Sequence, residues 1–83
     1  MDQVNLNQLA AEFLKIEDQK VMKDFLAAIL TPQELEQLPV RLEIIRRLKK
    51  GEAQHKIAED LGIGIATVTR GSRMLKEGRF QNV

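Results

Sequence analysis

Residues 65–74 place Ala66, Thr67, Arg70, Arg73 and Met74 on one side of any helix they form, and no carboxylate follows Gly64 until Glu77. A face that is small, hydroxylated and cationic suits a polyanion. Small side chains let a helix sink into a groove about 12 Å wide, where hydroxyl and guanidinium groups reach base edges and phosphates. Other chemistry is poorly supplied. His55 is the single histidine and there is no cysteine, so no His- or Cys-based metal set is expected, and Glu59 with Asp60 reads as a solvated helix end. Ser72 has no base placed beside it by a recognisable motif. Gly62-Ile63-Gly64 resembles the start of a dinucleotide fingerprint but lacks a preceding strand and a third glycine in position. No enzyme is expected, and no resident cofactor.

The elements that must position the cationic face are two short helices. The first spans about Gln54 to Leu61 and turns Ile57, Ala58 and Leu61 inward; the second starts near Ile65 and turns Ile65, Val68, Ser72 and Leu75 inward. Gly62 and Gly64 lie between them, and Gly62 can take the positive φ that ends a helix. Ala58 is small enough for a close crossing. Two helices joined by a glycine-containing turn, the second being the reader, form a helix-turn-helix over residues 54–76. The competing reading is an ordinary helical hairpin or a protein-contact module built on the same motif.

Eighty-three residues make one small domain, read as all-α, in which only about 60–65% of the unfolded surface becomes buried. Without cysteine there is no disulfide to staple so thin a core, and association with a second copy is the remaining route to buried area. No segment approaches the roughly 20 apolar residues of a membrane span, and the N-terminus lacks the basic and apolar regions of a signal peptide, so a cytoplasmic protein is expected. Net charge is only +1, but it is unevenly spread. Residues 1–39 carry three lysines against seven carboxylates, a balance of −4; residues 40–83 carry ten basic groups against five carboxylates, a balance of +5. That asymmetry fits a scaffold half and a polyanion-facing half, and the single domain of residues 1–83 is expected to comprise dimerisation helices over 1–39, a DNA-binding part over 40–78 and a tail over 79–83.

Along the chain, Leu6, Leu9, Ala10, Phe13 and Leu14 form the stripe of a first helix over residues 5–16. Asp18 caps a second, striped by Val21, Met22, Phe25, Leu26 and Ile29. Thr31, Pro32 and Glu34 make a helix start with a capping box. Pro39 is expected to end that third helix at Leu38 and to open a fourth over residues 40–50, stopped by Gly51. Leu42, Ile44, Ile45 and Leu48 supply its buried side, and Arg41, Arg46, Arg47, Lys49 and Lys50 its cationic surface. Residues 80–83 read as a mobile tail.

Leu30-Thr31-Pro32, Arg41 and above all Gly64-Ile-Ala-Thr-Val-Thr-Arg-Gly-Ser72 resemble the tryptophan repressor family over a little more than half of the chain. The resemblance implies an intertwined all-helical homodimer that binds double-stranded operator DNA when L-tryptophan is bound. It implies that Arg41 and Arg70 flank the indole ring, that Arg70 and Thr31 meet the carboxylate, and that Gly71 leaves room for the ligand. Backbone carbonyls near Ala28 and Leu30 of the partner subunit would hold the ammonium group. Ile65, Ala66, Thr67 and Thr69 would face the major groove, with Gln54 and Lys76 on phosphates; Arg73 is expected as a further phosphate contact. The chain departs from the family in three places. The connection after Gly51 is one residue shorter, two basic positions of the first motif helix hold His55 and Ala58, and the sequence stops where the family continues into another dimer helix. A guanidinium plane can stack on an aromatic face and fork onto a carboxylate, which suits Arg41 and Arg70 to such a ligand. The reading is thus a DNA-binding transcriptional repressor with L-tryptophan as corepressor. The alternatives are a regulator with a different ligand or none, and a helical dimeric interaction module. An RNA role fits less well, since the only aromatic residues are three phenylalanines.

Overall fold

A computed structural model describes residues 4–83 as five helices with no strand among them: α1 Leu6–Lys15, α2 Gln19–Ile29, α3 Pro32–Lys49, α4 Gln54–Leu61 and α5 Ile65–Lys76. The all-α expectation holds. The chain forms two compact units, one ending at Leu35 and one spanning residues 36–83.

In the first unit the helix starts are set by side chains. Asn5 caps α1 by accepting from the amides of Asn7 (2.9 Å) and Gln8 (3.4 Å), and the Gln8 side chain accepts in return from the Asn5 amide at 3.2 Å. Asp18 caps α2 through the Val21 amide at 3.0 Å, as its position suggests. The Phe13 and Phe25 rings meet edge to face, with centroids 5.6 Å apart and planes at 86°. No described residue of α1 or α2 is fully buried, and Leu6 and Leu14 stand 78% and 83% exposed. Thr31 and Glu34 close the expected capping box at the head of α3, with the Glu34 amide donating to Thr31 Oγ1 at 3.2 Å and the Thr31 amide to Glu34 Oε1 at 2.9 Å.

One correction concerns Pro39, which lies inside a continuous eighteen-residue α3 instead of dividing it. Proline removes the amide that would donate to the Leu35 carbonyl and crowds that carbonyl, at a cost of about 3 kcal/mol. Splitting the helix would cost more. Leu38 and Val40 are adjacent to Pro39, so no residue is left over to cap the six further backbone groups that two new helix ends would orphan.

In the second unit Ile44, Ile57, Ala58 and Val68 form the buried centre, flanked by Val40, Leu48, Leu61 and Ile63. Val40, Ile44 and Leu48 follow a four-residue spacing along α3, so one ridge of that helix carries the packing. Leu42 falls off this ridge and is exposed, against the expectation that it is buried. Gly51, at φ +85°, ends the turn after α3, where the Glu52 amide returns to the Arg47 carbonyl at 3.2 Å. Among the described residues, no helix is long and apolar enough to cross a membrane.

Candidate nucleic-acid interface and ligand cleft

The turn between α4 and α5 has the geometry its glycines suggest. Gly62 takes φ +64°, its amide bonds to the Glu59 carbonyl at 3.2 Å, and the Ile63 amide reaches the Ala58 carbonyl at 3.0 Å. These bonds satisfy the last carbonyls of α4 and turn the chain sharply. Ile57 and Ala58 of α4 then bury against Val68 of α5, which fixes how the two helices cross.

With Val68 inward, α5 exposes Ala66, Thr67, Thr69, Arg70, Arg73 and Lys76. Ile65 was assigned inward by its periodicity and outward by family likeness; it is 50% exposed, because the buried face of α5 begins at Val68. Met74, assigned to the outward face, is half-buried. Ser72 and Leu75 are half-buried, in line with an inward face. Gln54 and Thr69, from different helices, meet directly: the Thr69 hydroxyl donates to Gln54 Oε1 at 2.9 Å. Neither α4 nor α5 has a side-chain N-cap, and neither has an acidic residue in its first turn.

A network missed in the sequence braces this motif. Arg47 donates from Nε (2.9 Å) and Nη2 (2.6 Å) to Glu52 Oε1, and from Nη2 to Asp60 Oδ2 at 2.5 Å. Lys56 adds a bond to the same Asp60 oxygen at 3.1 Å. The Arg47 side chain is only 14% exposed, so it is not part of the open cationic surface to which its position assigned it. Asp60 is likewise paired instead of simply solvated. The hydrogen bonds to Arg47 hold the Glu52 and Asp60 carboxyls below the usual carboxylate range, and both raise the Arg47 guanidinium above its ordinary value. The end of α3, the Gly51 turn and the end of α4 are thereby tied together. The sequence signal was available in hindsight: five residues separate Arg47 from Glu52 across a glycine turn, and thirteen separate it from Asp60.

Between α3 and α5 lies an open cleft of about 1050 Å³. Arg41 and Arg70 both line it, over a floor that includes Leu42, Ile45 and Met74, and no carboxylate is among its lining residues. Gly71 lines it as well, and also lets the helices approach. A Cβ built there would lie 3.2 Å from Ile45 Cδ1 and 3.3 Å from Ile44 Cγ2. In the first unit, Thr31 uses its hydroxyl as an acceptor in the α3 cap and remains exposed. Ala28 is in the last turn of α2 and Leu30 is its C-cap, where unpaired carbonyls give a helix end partial negative charge.

The segment read as a mobile tail is a turn held against α3. Lys49 Nζ donates to the Phe80 carbonyl and, at 2.6 Å, to the Val83 carbonyl, while the Val83 amide returns to the Phe80 carbonyl at 3.2 Å.

An all-α chain whose last two helices cross at a glycine turn, with a small and cationic outer face on the second, defines a helix-turn-helix protein. The chain belongs to the Trp repressor protein family, whose model matches residues 4–82. It is 48% identical over 60 residues to a Trp operon repressor homolog of Vibrio vulnificus (strain YJ016), covering 71% of this chain and 59% of that one. A Trp operon repressor homolog of Vibrio campbellii is 50% identical over 52 residues, 61% of this chain and 52% of the relative. One of Aliivibrio salmonicida is 37% identical over 71 residues, 84% and 66% of the two chains. The chain therefore spans little more than half the length of the first two relatives. No solved structure matches it significantly.

Proposed function

We propose that the chain is a sequence-specific DNA-binding transcriptional repressor that acts as a homodimer with L-tryptophan as corepressor. The observation that carries the reading is the outer face of α5, where Ala66, Thr67, Thr69, Arg70 and Arg73 are all exposed on a helix braced from behind. Ile65, Ala66, Thr67 and Thr69 contact base edges in the major groove. Gln54, Arg73 and Lys76 meet phosphates, helped by the uncapped amides at the start of α4. Residues 1–39 serve dimerisation and residues 40–78 serve DNA binding, which supports a cytoplasmic regulator with no catalytic role.

The ligand reading is supported by Arg41 and Arg70 sharing one carboxylate-free cleft. An indole ring stacked between two guanidinium planes, with its carboxylate on Arg70, uses the two properties that separate arginine from lysine. Its ammonium group suits the electronegative end of α2, near Ala28 and Leu30, contributed by the second subunit. Arg70 belongs to both the cleft and the reading helix, so an occupied cleft biases how α5 is presented. L-tryptophan acts as a switch to the extent that it binds the DNA-competent state more tightly than the other.

Fluorescence anisotropy of a labelled duplex, titrated at low and moderate salt with and without L-tryptophan, tests the proposal. Binding that weakens steeply with salt and tightens with L-tryptophan is expected. Salt-sensitive binding indifferent to L-tryptophan would reject the corepressor and keep the DNA reading. No binding at low salt would favour an interaction module.

A further inference from the structure

Among the described residues, Phe80 is alone among non-glycine residues in having a left-handed backbone, at φ +62°. That conformation is unfavourable for a bulky side chain, and it persists only where surrounding bonds enforce it. Here Lys49 donates to the carbonyls of Phe80 and Val83, on either side of the turn. Phe80, 43% exposed, lines the same cleft as Arg41 and Arg70, and Arg79 is a third arginine in its lining. Three elements therefore surround this space, and the third is a clamped turn.

We infer that Arg79 and Phe80 form a wall of the ligand cleft, with Phe80 as a specificity-determining residue for planar aromatic ligands that carry an anionic group, and Lys49 as the residue that positions it. The inference rests on the ligand reading given above and extends it to a segment with no assigned role. An aromatic ring offers a flat partner edge-to-face or offset contact that an aliphatic side chain does not reproduce. Arg79 offers the anionic group a charge-assisted donor beside Arg70. Lys49 acts through the backbone of the turn and touches no ligand.

Calorimetry on the full chain, with L-tryptophan and separately with 1-anilinonaphthalene-8-sulfonate as an unrelated aromatic anion, tests the wall. Phe80→Ala and Phe80→Leu are expected to weaken both probes by about tenfold, with helical content and melting cooperativity retained. Lys49→Met should weaken them several-fold, and Lys49→Arg, which keeps the donor, should stay within about twofold of the wild type. Affinities unchanged or tightened in both Phe80 variants would overturn the inference, the latter marking the ring as an obstruction. A wild-type chain that binds the sulfonate but not L-tryptophan would defeat the corepressor reading, and the sulfonate's response to Phe80→Ala would still judge the wall. A wild-type chain that binds neither would defeat both.

Discussion

Arg47 of α3 and Arg70 of α5 are the same residue type within the second unit, and their surroundings give them opposite work. Arg47 is nearly enclosed and paired with Glu52 and Asp60, whereas Arg70 is exposed and lines a cleft without carboxylates. Sequence spacing did not separate them, because the partners of Arg47 are brought to it by the Gly51 turn and the packing of α4. The pairing has a pH consequence. Glu52 and Asp60 are held below the usual carboxylate range of about 4, so on acidification the unfolded chain takes up protons first and the folded state loses ground. The stabilisation is complete above that range and disappears as pH falls through the lowered values. Thermal melts followed by circular dichroism between about pH 6 and pH 3 should show a falling midpoint, and Arg47→Met should flatten that fall. On the functional side, Arg70→Ala should weaken L-tryptophan in calorimetry by roughly ten- to a hundredfold, the range of a lost charged hydrogen bond, and weaken duplex binding with it. Arg73→Ala should leave L-tryptophan binding intact and reduce the salt slope of duplex binding by about 1.

The helices themselves were largely legible, because the starts of α2 and α3 and the end of α4 carry local signals. Asp18, Thr31 with Glu34, and Gly62 act within four residues of their positions, so their chemistry does not wait for the rest of the fold. Pro39 was misread because a local preference was set against a non-local cost, the lack of any spare residue for two new caps. Restoring the amide with Pro39→Ala should stabilise the chain by on the order of 1–3 kcal/mol, the helix-interior penalty less the entropy proline removes from the unfolded chain. An unchanged or lower melting midpoint would contradict this account of α3. The close passage of α5 across α3 makes the opposite prediction. Gly71→Val forces methyl groups into Ile44 and Ile45, which already lie 3.3 Å and 3.2 Å from a bare Cβ. A loss of about 1–3 kcal/mol in urea unfolding is expected, as for other overpacked sites.

At the scale of the whole molecule, what stands out is the apolar surface left open on α1 and α2, with Leu6, Leu14, Val21 and Ile29 all at least half exposed. Periodicity located these stripes, and the thin core expected of so short a chain without disulfides is what pointed to a second copy. If they close a homodimer, the melting midpoint rises with protein concentration, and Leu14→Lys yields a monomer in sedimentation equilibrium. The ligand cleft was legible only in part. Arg41 and Arg70 were found through their likeness to the family, but the contribution of Phe80 depends on a turn clamped from Lys49, thirty-one residues earlier, which no local pattern announces. The outer face of α5 was the most legible feature, since its small and cationic residues follow one helical period. The account stands on that face entering a DNA groove. Amide chemical-shift mapping with a short duplex at low salt, in the presence of L-tryptophan, tests it most directly. The predicted result is a set of shifts centred on Gln54, Ile65, Ala66, Thr67, Thr69 and Arg73. Shifts confined to α1 and α2, or none at all, would contradict it.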